Sequence, residues 1–109
     1  MVQTITTKLP RALAQVATGR YLDTGTVAAY KFTLGFKPRY VRVQNLAATG
    51  ATLEWYEGMA DASAVKRVTA GDMTVITTLG ITVADDGFTF GLDTDTNVTS
   101  EQVSFLAIA

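Results

Sequence analysis

The chain has 109 residues, 48% of them hydrophobic and 17% charged, with a net charge of −1, the balance of one packed domain and not of a disordered tail. It contains no cysteine and no histidine, which excludes disulfides, thiolate metal sites and catalysis through the commonest general base. No run approaches the roughly 20 uninterrupted apolar residues that a membrane-spanning helix needs.

Residues 1–7 (Met1, Val2, Gln3, Thr4, Ile5, Thr6, Thr7) lack a basic start followed by an apolar run, so no signal peptide is expected and synthesis in a cytoplasm is. Residues 1–25 read as an N-terminal arm. Within it Pro10 suits a first helical turn, Leu9, Leu13 and Val16 fall on one side at helical spacing, and Gly19 serves as a stop. The spacing predicts one short helix, packed on its own domain or on a neighbour.

Residues 26–109 read as an all-β domain. Eighteen threonines are spread along the chain, and glycine recurs about every ten residues, the rhythm of a sandwich or barrel. Ala28, Tyr30, Phe32 and Leu34 alternate onto one strand face, and the turn at residues 35–38 ends with Pro38, which cannot donate to a ladder. Val41 and Val43 alternate with Arg42 and Gln44. Leu53 and Trp55 share the core face of the next strand, opposite Thr52, Glu54 and Tyr56.

Residues 60–64 read as a loop or a single helical turn. Strands are expected at residues 65–70 and 73–79 around a tight connection, and at 81–84 and 88–92 around Asp85-Asp86-Gly87. Phe88, Phe90 and Leu92 are the inward residues of the second pair. Residues 102–108 are apolar on both faces, which marks a central strand. The expected architecture is an antiparallel β-sandwich of jelly-roll or immunoglobulin-like kind, with about eight strands.

Charge is unevenly distributed. Through Asn45 there are seven basic residues against the single acid Asp23; from Leu46 onward there are two basic residues against nine acids. Either the halves interleave and pair within the sheet, or they form complementary faces that meet between subunits. The sequence leaves both readings open.

Three groupings suggest sites. Asp93, Asp95 and Asn97 space oxygen ligands two apart, as calcium loops do, but Val98 and Ser104 stand where an EF-hand loop needs Gly and Glu. An ordinary Asx-rich turn accounts for them better, and no metal or other cofactor is expected. Residues 36–42 interleave Phe36 and Tyr40 with Lys37, Arg39 and Arg42, as a stacking platform for single strands does. Arg39 and Arg42 nevertheless have opposite strand parity and the chain is acidic overall, which argues against nucleic acid. Glu54 and Glu57 also point to opposite sides of a strand, and Asp85 and Asp86 sit in a turn, so no carboxylate pair faces across a cleft. No catalytic grouping emerges.

Several blocks together carry a resemblance: Leu34-Gly35-Phe36-Lys37-Pro38-Arg39-Tyr40, Glu54-Trp55-Tyr56-Glu57-Gly58-Met59-Ala60, Gly80-Ile81-Thr82-Val83, Gly87-Phe88-Thr89-Phe90-Gly91, and Asp93 to Val98 before an apolar C-terminal strand. From about Thr26 onward the chain resembles small virion structural proteins of tailed bacteriophages. It departs from them after Val98, where they carry a glycine and aromatics and this chain has Thr99, Ser100, Glu101 and Gln102.

The resemblance implies a non-enzymatic role in a virion, first as a capsid decoration (cement) protein binding the assembled head as a homo-oligomer, commonly a trimer. The partner is then the major capsid protein or another virion protein, with no nucleic acid and no membrane. The alternatives are a tail, neck or fibre component, or a carbohydrate- or receptor-binding module using Trp55 and Tyr56. Val2, Ile5, Lys8, Leu9, Arg11, Leu13, Val16 and Arg20 are the expected interface residues, since their apolar members need a host surface and their charges suit an acidic one.

Overall fold

The computed structural model describes residues 15–22, 28–47, 50–68 and 70–109. They form an all-β, antiparallel, sandwich-like fold of eight strands: β1 (Val16–Leu22), β2 (Tyr30–Thr33), β3 (Tyr40–Asn45), β4 (Thr52–Tyr56), β5 (Ser63–Arg67), β6 (Met73–Ala84), β7 (Gly87–Phe90) and β8 (Gln102–Ile108). All eight belong to one continuous curled sheet in the order β1-β8-β3-β4-β5-β6-β7-β2.

Period-two alternation produces the strands and chooses their faces. In β3 Val41 and Val43 are fully buried while Arg42 and Gln44 face solvent; in β4 Leu53 and Trp55 are buried, as their alternation predicts. Val103 and Ala107 of β8 join them, and Phe105 packs beside them. β8 is indeed internal, pairing with β1 on one side and β3 on the other.

The curl is made by β6. Residues 73–76 pair with β5, residues 81–84 pair with β7, and the register jumps between Ser63 and Ala64. One strand thus serves both layers, where the sequence suggests two strands separated at Gly80. At this corner Leu79 takes φ 62°, and a Cβ on Gly80 would stand 2.7 Å from the carbonyl carbon of Ser63. Only glycine lets the strand cross that close to β5.

The second layer lays Ile81, Phe88 and Phe90, all fully buried, over the first. Phe32 of β2 and Phe88 of β7 meet Phe105 of β8 at ring-centroid distances of 4.5 and 5.3 Å, so an aromatic cluster joins the layers. Tyr21 of β1 lies 4.6 Å from Tyr30 of β2. The first and last strands of the sheet therefore close on each other through side chains.

Three expectations need correction. Val16 and Gly19, assigned to a helix and its stop, lie in β1 and pair with Ile108 and Phe105. A Cβ on Gly19 would fall 2.5 Å from the Phe105 ring, so this glycine clears space for an aromatic partner and does not end an element. Leu92, expected inside with Phe88 and Phe90, is 39% exposed because β7 ends at Phe90. Residues 16–22 of the segment read as an arm are part of the sheet. The remaining helix residues Leu9, Pro10 and Leu13, and the interface candidates Val2, Ile5, Lys8, Leu9, Arg11 and Leu13, lie outside the described residues. Among the described residues no helix is long and apolar enough to cross a membrane.

Candidate functional site

The oxygen-rich loop is internally satisfied. Asp93 and Asp95 converge on the ammonium of Lys66, which lies 2.9 Å from Asp93 Oδ1 and 2.6 Å from Asp95 Oδ2. Lys66 and Asp93 are nearly buried. Burial by itself would lower the lysine pKa, but hydrogen bonds to Asp95 and Asp93 outweigh it and hold the ammonium above its ordinary range. Thr96 Oγ1 donates to Asp93 Oδ2 at 2.8 Å.

Asn97 turns away from this pair, its amide donating to the carbonyls of Gly91 and Ala28. Asn45 anchors the same loop from β3 by donating to Thr96 O and to Glu101 Oε1, each at 2.9 Å. An internal cation thus stands between the carboxylates proposed as metal ligands. Among the described residues no group of three or more acidic side chains is placed to hold a metal ion.

The carboxylates of β4 are likewise engaged. Glu54 Oε2 accepts from Tyr40 at 2.8 Å and from Tyr56 at 3.2 Å, and the two rings lie 5.3 Å apart. Burial, then the hydrogen bond to Glu54, pushes the Tyr40 pKa up to about 12. Glu57 pairs instead with Arg39 at 3.4 Å, and Asp86 with Lys31 at 3.0 Å. These contacts join the basic first half to the acidic second half, as the interleaved reading of the charge predicts. Arg39 and Arg42 do not form one stripe: Arg39 sits in the Glu57 pair and Arg42 on the outer sheet face.

Arg42 shares that outer face with residues of five other strands. Cross-strand register sets Thr18, Leu106, Arg42, Glu54, Val65 and Val75 in one row, and Arg20, Ser104, Gln44, Thr52, Arg67 and Met73 in the next. Val16, Tyr56, Met73 and Val75 are about half exposed or more on it. A shallow depression of about 400 Å³ opens between Arg20 and Arg42, walled by Thr18, Ser104 and Leu106. Neither arginine has an ion-pair partner among the described residues.

Two guanidiniums beside a hydroxyl and an apolar rim suit acidic groups presented on a protein surface. Of the expected interface residues, Val16 and Arg20 lie on this face. Arg42 was missed as their neighbour because β1 was read as helix, although parity alone gives Val16, Thr18, Arg20 and Leu22 a common side. Trp55 is only 5% exposed, so of the two rings expected of a sugar platform only Tyr56 is open to solvent. No protein-family model, curated protein or solved structure matches the chain.

Proposed function

We propose that the chain is a non-enzymatic structural protein of a virion, and first a capsid decoration protein that binds the assembled head. The observation that carries the reading is the outer sheet face, on which apolar side chains are exposed together with Arg20 and Arg42, neither of which has an ion-pair partner among the described residues. Such a face, with Val16, Met73 and Val75 exposed among polar and charged side chains, suits docking against a protein lattice, where charges orient the contact. The resemblance of residues 26–109 to phage virion proteins supports the same reading.

Glu54, Glu57, Asp86, Asp93 and Asp95, and the hydroxyls of Tyr40 and Tyr56, are tied into internal hydrogen bonds and ion pairs. In this role Arg20 and Arg42 orient the domain over acidic groups of the major capsid protein, while Val16 and Leu106 supply apolar contact. A tail, neck or fibre location is the second reading, carried by the same face. Quantitative mass spectrometry of purified particles from a phage encoding the chain separates them. Hundreds of copies per virion support decoration, a few to a few dozen place it in the tail, and absence from the particle overturns both. Arg20→Glu with Arg42→Glu should abolish binding to heads stripped of the protein while leaving the unfolding midpoint unchanged.

A further inference from the structure

This sheet has an edge beyond the two that end its strand order. β1 and β2 each pair with one strand only, and they carry the charges Arg20 and Lys31. A further edge, without charge, lies on β6. Residues 73–76 pair with β5 on one side, and β7 takes up only residues 81–84. Along residues 73–78 the side away from β5 faces no strand among the described residues.

This segment reads Met73-Thr74-Val75-Ile76-Thr77-Thr78, with no charge, no proline and no glycine. Met73 and Val75 are each 62% exposed, the highest values among the exposed large hydrophobics. Natural edges are usually blunted by lysine, proline or an inward charge. Here none is present, and the β-branched content favours an added strand.

We infer that this edge pairs with the same edge of a second copy, antiparallel about a two-fold axis, joining two sheets into one. The sequence of the edge favours itself as partner. An antiparallel pairing centred on Val75 sets Thr74 opposite Ile76 and Met73 opposite Thr77, so no like charges meet and β-branched residues face one another. A two-fold contact of this kind is closed, so it produces a dimer and not a fibre. It also differs from the trimer that the resemblance implies. The inference does not rest on the virion reading, because it concerns the isolated protein.

Sedimentation equilibrium of the full chain over a concentration series is the test, with Val75→Lys and Val75→Cys alongside. The expected result is a reversible monomer–dimer equilibrium that Val75→Lys weakens about tenfold or more, with an unchanged unfolding midpoint. Because the chain has no cysteine, Val75→Cys carries a unique thiol, and mild oxidation should trap a covalent dimer only at concentrations where the dimer exists. A wild-type chain that stays monomeric to its solubility limit overturns the inference. So does a dimer indifferent to Val75→Lys and untrapped by Val75→Cys, or a trimer in place of the dimer.

Discussion

At the scale of single residues, Trp55 shows how one ring can be read from parity and then placed by packing. It lies among the buried core residues of β3 and β4, and its Nε1 donates to Ala60 O at 3.4 Å. Trp55→Ala should therefore lower stability by about 3–5 kcal/mol in denaturant unfolding; an unchanged midpoint would mean the ring is exposed. Tyr40 makes a second prediction, in pH. Its folded pKa of about 12 exceeds the ordinary tyrosine value of 10.0, so the phenol's contribution is complete below pH 10. Above that the unfolded state loses the proton first, and stability falls as pH rises from 10 to about 12. Tyr40→Phe should flatten part of that fall in alkaline unfolding curves, and an identical fall in both proteins would assign it to other groups.

At the scale of elements, the loop between β7 and β8 is held by Lys66 reaching from β5. Lys66→Met should cost about 3 kcal/mol, the lower end of the range for breaking a buried ion pair, because Thr96 still donates to the stranded Asp93. Thermal unfolding reads the loss, and an added Asp93→Asn change should recover part of it. β5 opens at Ser63, inside residues expected to form a loop or a helical turn, but β3, β4 and β7 were legible because their alternation is simple: Val41 and Val43, Leu53 and Trp55, Phe88 and Phe90 keep one parity each. Two further places were not. Gly19 resembles a helix stop because the pairing that requires it, with Phe105, is distant in sequence. Gly80 resembles a turn between two strands because its role, passing β6 against the Ser63 carbonyl, appears only once the sheet curls. The Arg20–Arg42 depression was hidden for the same reason as Gly19, since it exists only when β1, β8 and β3 lie side by side. Lys66 between Asp93 and Asp95 carries no local signal either, for its partners are a hairpin and two strands away.

At the scale of the whole molecule, the eight strands of the described residues lie within residues 16–108. Removing residues 1–14 tests what that segment does: loss of the cooperative unfolding transition in calorimetry would place it in the core, and an intact transition would place it outside. If that segment is an attachment arm, the shortened protein should also lose binding to stripped heads; retained binding would assign attachment to the outer sheet face alone. The position of β8 has a further consequence, for the order in which the chain can fold on the ribosome. β8 is made after the other seven described strands, yet it sits between β1 and β3 and gives each of them a neighbour. Until residues 102–108 have cleared the exit tunnel, β1 has no partner strand and the inner edge of β3 stays open. The described sheet therefore cannot close until residues 102–108 have emerged. A nascent chain tethered directly at residue 109 should remain protease-sensitive, and a flexible tether long enough to bring β8 outside should restore resistance in one step.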